Sequence, residues 1–323
     1  VIFLLKQKYL VIRKEDKKMI NTKEILNILP DSIKKSIDLK DIDNLQEIRI
    51  KGEKPILLQV GEREVITKHI ASLEEIKIIL QRMSNYSIYA YDEEIKQGYI
   101  TIKGGHRVGI CGRCVIDNNM VKTIKDTASL NIRICREVMG CSDRIMPYII
   151  QKNRIENTII ISPPKCGKTT LLRDITRNIS NGIKEIDFNG KKVWVIDERS
   201  EIGACYSGVP QLNVGLRTDV LDSCPKSCGI MMAIRSMSPD VIVCDEIGTD
   251  ADIESIISAM NSGVSLITTI HGYHIEDLYE RTVFKRIVDN KVFKKAIVLS
   301  NKNGVGTVEY IYSFVDDEVI LRR

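Results

Sequence analysis

The stretch SPPKCGKTT, residues 162–170, decides how this chain is read. It closes on Gly167-Lys168-Thr169, as a phosphate-binding loop of the pattern G-x-x-x-x-G-K-[ST] does, yet Ser162 stands where the pattern opens with glycine. The flanking residues supply the context that the motif needs. Residues 157–161, NTIII, form a β-branched apolar run that reads as a buried strand. Residues 168–180, KTTLLRDITRNIS, carry Leu171, Leu172, Ile175 and Ile179 at near-helical spacing and run into the stop signal Asn181-Gly182. Between a strand and a helix, backbone N–H groups and the helix N-terminus make a cradle for phosphate. Ser162, Pro163, Pro164, Lys165, Cys166, Gly167, Lys168, Thr169 and Thr170 are therefore the expected nucleotide-binding surface. Lys168 is expected to reach the β and γ oxygens of ATP, and Thr169 to ligate Mg²⁺. Ser162 is small enough to end the strand and make the turn, and Pro163 with Pro164 stiffens the loop.

Working outward, the second half alternates apolar strands with helices, the signature of a parallel sheet with crossovers. The strands are KKVWVIDERSEI, PDVIVCDEIG and SGVSLITTIHG, each ending in polar or charged residues, where chemistry gathers in an open parallel sheet. DVIVCDE places Asp245 and Glu246 after four apolar residues, an acidic pair of the Walker B kind. Asp245 is expected to orient Mg²⁺ through water and Glu246 to polarise the attacking water. Asp197 and Glu198 form a second such pair, so either Glu198 or Glu246 can serve as the base, with Glu246 preferred. His271 ends another strand, where a side chain can sense the γ-phosphate. Further on, KAIVLS, the loop NKNGVGT and VEYIYSF read as a closing hairpin.

The first half is mixed α and β. LQEIRI and KPILLQV read as a strand pair, Ser72 with Glu75 caps the helix LEEIKIILQRM, and Gly104-Gly105 turns a hairpin. The expected division is a leader over 1–18, an N-terminal α+β domain over 19–145 and a P-loop ATPase domain over 146–323, with Pro147 near the boundary.

The chain of 323 residues has a net charge of +5. Residues 1–18 contribute six Lys/Arg against two acids, so the remainder is close to neutral and gives no global support for nucleic-acid binding. The apolar pieces of that leader, VIFLL and YLVI, are broken by Lys6, Gln7 and Lys8, well short of the roughly 20 residues that span a bilayer. Its order of charge and apolar residues is not that of a secretory signal; Met19 is expected to open the folded protein, with a weak membrane-surface contact of the leader as the rival reading. Nine scattered cysteines suit a reducing compartment. The Cys111/Cys114 and Cys224/Cys228 pairs read as small packing residues in preference to metal ligands.

Taken together, SPPKCGKTTLLRD, VIDERSEI, RTDVLDSCPKSCGIMMAIRSMSPDVIVCDEIG and TTIHGYHIEDL resemble the stage III sporulation protein AA family, relatives of the ATPases of type II and type IV secretion systems. LQEIRIKGEKPI, GYITIKGGHRVGICGR and SLNIRICREVMGC fit the same pattern, so the likeness covers nearly everything after Met19. Ser162 and Lys165 depart from it where glycine is common. The resemblance implies a RecA-like ATPase core behind a smaller N-terminal domain and a homo-oligomeric ring, a hexamer by likeness. It implies ATP and Mg²⁺ as ligands, and membrane proteins of a sporulation channel as partners of a cytoplasmic motor. It also implies phosphate-contacting arginines in the N-terminal domain, for which Arg133 and Arg136 are the candidates, with Arg107 behind them. A nucleic-acid translocase and a nucleotide-dependent scaffold are the alternative readings.

Overall fold

The computed structural model of the chain describes residues 22–87 and 91–322, so the leader lies outside the described residues. The chain divides into two compact units between Glu137 and Val138. This is ahead of the boundary expected near Pro147. The reason is local: Gly140 and Ser142 donate backbone N–H groups to Asp174, deep in the second unit.

The first unit is built on a six-stranded antiparallel sheet. Its strands are β1 (Leu45–Lys51), β2 (Lys54–Val60), β3 (Arg63–Ala71), β4 (Tyr99–Ile102), β5 (His106–Asp117) and β6 (Met120–Arg133), in the order β3-β2-β1-β6-β5-β4. Alternation decides its faces, with Ile48, Ile50, Ile100, Val108 and Ile132 fully buried between polar neighbours. Helices α1 (Thr22–Ile28) and α2 (Leu73–Met83) add Ile25, Ile76, Ile79, Leu80 and Met83 to the same core. The start of α2 is fixed by the capping box, Ser72 accepting from the Glu75 N–H while Glu75 accepts from the Ser72 N–H. Gly104 and Gly105, both at positive φ, make the β4–β5 turn. At Gly112 the strand bulges so close to β6 that a Cβ would stand 2.6 Å from the Lys125 carbonyl. Cys111 and Cys114, on either side of it, are exposed, not packed as expected, in the half of β5 whose burial pattern turns outward.

In the second unit an eight-stranded sheet carries the core. Its strands are β7 (Thr158–Ser162), β8 (Val193–Asp197), β9 (Thr218–Asp222), β10 (Val241–Cys244), β11 (Ser265–His271), β12 (Lys295–Ser300), β13 (Thr307–Ser313) and β14 (Glu318–Arg322). The order is β9-β8-β10-β11-β7-β12-β13-β14, parallel from β9 through β12, with β13 and β14 antiparallel at one edge. Both faces are covered, which is why the strands read as unbroken apolar runs. Ile159 and Ile161 feed one layer and Ile160 the other, all fully buried, each burial contributing about 1.5–3 kcal/mol. Helix α3 (Lys168–Asn181) packs Leu171, Leu172, Ile175 and Ile179 on one side. Helices α4 (Lys226–Ser236) and α5 (Asp250–Asn261) cover the other with Ile230, Ala233, Ile253 and Ile256. Among the described residues no helix is long and apolar enough to cross a membrane.

Candidate active site

The parallel strands β8, β10, β11 and β7 end together, and the residues just past those ends form one cluster. Ser162 is the last residue of β7, paired with His271 of β11, and its carbonyl accepts the Gly272 N–H. The left-handed residues of the loop are Lys165 (φ 61) and Gly167 (φ 83), and Ser162 is not among the positive-φ residues. The position where the motif opens with glycine therefore makes no left-handed demand here, and serine fits it. Lys165 occupies a conformation costly for a residue with a Cβ, roughly 1–2 kcal/mol. Pro163 is half-buried, Pro164 exposed, Cys166 buried, and Thr169 and Thr170 half-buried in the first turn of α3.

Lys168 opens α3 directly after Gly167. Its ammonium stands 3.3 Å from Glu246 Oε2 and 3.0 Å from His271 Nε2. His271 Nε2 is also 3.2 Å from Glu246 Oε1, and Arg199 lies 3.5 Å from Oε2. Thr269 Oγ1 accepts the Glu246 N–H at 3.0 Å and sets the backbone beyond β10. Burial alone would push the Glu246 carboxyl up, but Lys168, His271 and Arg199 outweigh it and hold the group below the usual glutamate range.

Its neighbour Asp245 is buried, with Oδ1 lacking a hydrogen-bond partner. Burial pushes its carboxyl up to about 6, partly offset by Lys226. Lys226, itself 7% exposed in the first turn of α4, donates to Glu198. Glu198 is thus held by Lys226, whereas Glu246 faces the phosphate loop. Asp197 is structural: it accepts the N–H groups of Glu201, Ile202 and Gly203 at 2.8, 3.0 and 2.8 Å. That turn carries Arg199, and Arg173 of α3 donates to the carbonyls of Glu201 and Ile202 on its far side.

Arg133 and Arg136 belong to the first unit. Arg133 is exposed at the end of β6, between Glu47 of β1 and Arg107 of β5 in register. Arg107 lies 4.1 Å over the Tyr99 ring. Arg136 donates to the Leu45 carbonyl at 2.7 Å, and burial lowers its pKa.

Arg199 and Lys226 were not singled out by sequence reading. Lys226 carried one signal, a cation at the first position of a helix, where the dipole disfavours it. Among the described residues no three His, Cys, Asp or Glu side chains are grouped to hold a metal alone. The Asp245 oxygen without a hydrogen-bond partner and a hydroxyl such as Thr169 suit a hard cation that takes its other ligands from phosphate and water, as Mg²⁺ does.

The fold is shared with solved ATPase structures. The pilus retraction motor PilT with bound ADP matches at TM-score 0.56 and 15% identity, over 82% of this chain and 76% of that one. The Yersinia pseudotuberculosis ATPase DotB matches at 0.55 and 15%, over 84% and 76%. This chain is thus a RecA-like α/β core preceded by a smaller sheet domain. In sequence it is 44% identical over 294 residues to the Stage III sporulation protein AA of Bacillus subtilis (strain 168), covering 90% of this chain and 94% of that protein. The family model for sporulation stage III, protein AA matches residues 19–318, and the chain belongs to that family.

Proposed function

We propose that this chain is an ATP-hydrolysing motor that energises a membrane-embedded channel or secretion complex during endospore formation. The observation that carries the reading is the convergence of Lys168, Glu246 and His271 at the mouth of the phosphate loop. The ATPase folds it resembles and its sporulation family support the wider role. Lys168 and the N–H groups after Gly167 bind the β- and γ-phosphates. Thr169 and Asp245 would hold Mg²⁺, which would neutralise charge on the phosphate oxygens. Glu246 orients and deprotonates the attacking water, and His271 reads the γ-phosphate.

Electrostatics suggest an order of events. Lys168, His271 and Arg199 together hold the Glu246 carboxyl low, which makes it a weak base. A triphosphate draws the Lys168 ammonium to itself, which leaves Glu246 more basic when the water must be activated. Arg133 or Arg136 supplies charge to a nucleotide held elsewhere than in its own core, within a homo-oligomeric ring of six. The test is Lys168→Ala, with ATP binding measured by calorimetry. Tight binding is expected to vanish in a folded variant, and unchanged affinity would end the assignment of this loop.

A further inference from the structure

The hairpin between β12 and β13 turns beside the phosphate loop. Strand β12 runs parallel to β7 and directly alongside it, from Lys295↔Thr158 to Val298↔Ile161, so residues 301–306 leave the sheet at the same end as residues 163–167. The two loops touch. Gly306 donates its N–H to the Cys166 carbonyl at 3.1 Å. A Cβ on Gly167 would stand 3.0 Å from Val305 Cγ1 and 3.3 Å from Gly306 N. Gly304 (φ 105) and Gly306 (φ 86) bend the backbone on either side of Val305, which is left 72% exposed among Asn301, Lys302 and Asn303.

The opposite flank of the phosphate loop is already filled with charge. Strand β11 lies on that side of β7 and brings His271, with Glu246 and Arg199 beyond it. A nucleoside triphosphate is densely charged at one end and flat and weakly polar at the other. With its γ end toward Lys168, His271 and Glu246, its nucleoside end leaves over the other flank. We propose that residues 301–306 are the nucleobase platform of this site, with the Val305 side chain lying against the face of the base. This rests on the nucleotide-binding reading of residues 162–170. The Gly306–Cys166 hydrogen bond makes the platform and the phosphate cradle one rigid span, so base and phosphates are held at a fixed separation.

The test compares two probes on the full chain, ATP and inorganic tripolyphosphate, which has the phosphates without the base. Calorimetry of Val305→Asn, which is polar without adding charge beside the phosphates, is expected to show ATP weakened about tenfold, and of Val305→Ala about threefold, with tripolyphosphate unchanged in both. Far-ultraviolet circular dichroism checks the fold, and Val305→Ala, a simple truncation at an exposed position, keeps the test open if the asparagine disturbs the loop. Equal losses for both probes would make the hairpin a mere support of the phosphate loop and overturn the platform. Unchanged ATP affinity in both variants would place the base elsewhere and overturn it too. If the unaltered protein binds neither probe, the nucleotide reading itself falls, and the platform with it.

Discussion

The ammonium of Lys226 donates to Glu198 and lies 4.0 Å from Asp245 Oδ1, so one buried cation is shared by acids that follow two neighbouring parallel strands. It sits in the first turn of α4, where the helix dipole works against it, and two carboxylates outweigh that cost.

Replacing Lys226 with Met is expected to leave Asp245 buried without its compensating charge. Allowing for solvent at the half-exposed Glu198, the loss is about 1–3 kcal/mol of stability. Urea unfolding should show a lower midpoint with an unchanged slope. An unaltered midpoint would mean that the cation contributes nothing net to the fold.

Glu246→Gln is expected to bind ATP and to lose roughly 10²- to 10⁴-fold in hydrolysis, since the amide keeps the shape and cannot accept a proton. Glu198→Gln should lose far less, because Lys226 already occupies that carboxylate. Steady-state phosphate release from the two variants decides between them, and the reverse ranking exchanges their roles.

The two arginines should separate by stability. Arg136→Ala removes the donor to the Leu45 carbonyl and is expected to cost about 1–3 kcal/mol. Arg133→Ala, at an exposed strand end, should stay within about 0.5 kcal/mol. Arg133→Ala mixed with Lys168→Ala then tests action between subunits. Regained ATPase activity in the mixture is the expected result, and co-assembled but inactive mixtures remove the inter-subunit role.

Glu75 predicts an acid-sensitive step in the first unit. Burial raises its carboxyl, but hydrogen bonds from Ser32, the Ser72 N–H and His69 prevail and hold it below the ordinary 4.5. A depressed acid stabilises the fold above its unfolded value, and the contribution is lost as pH falls through the folded value. Glu75→Gln should therefore be less stable at neutral pH by about 1 kcal/mol. It should also lose less than the parent between about pH 5 and 3, as followed by thermal melts across that range.

Much of this architecture is legible because it is local. Residues 157–161 read as a buried strand since both faces of β7 are covered, and α3 follows from the spacing of Leu171, Leu172, Ile175 and Ile179. Ser72 with Glu75 predicts the start of α2 for the same reason: the capping box closes within four residues. Asp245, Glu246 and His271 are legible because strand ends in a parallel sheet gather at one edge. Arg199 and Lys226 are not, since a charged residue in a turn or a helix start is ordinarily solvated, and their partners come from other strands. The meeting of residues 301–306 with residues 166–167 depends on strand order, which periodicity does not encode.

Asp174 has a mechanical consequence. This buried carboxylate of α3 accepts the N–H groups of Gly140 and Ser142, the Ser142 hydroxyl and the Arg177 guanidinium. The chain entering the second unit is thereby moored to the helix whose first residue is Lys168. Asp174 lies in the second turn of that helix, so residues 140–142 are tied within two turns of the end that carries Lys168. The helix start and the entering chain are thus one anchored piece, and removing the Asp174 carboxylate would leave three N–H and O–H donors of residues 140–142 without their shared acceptor.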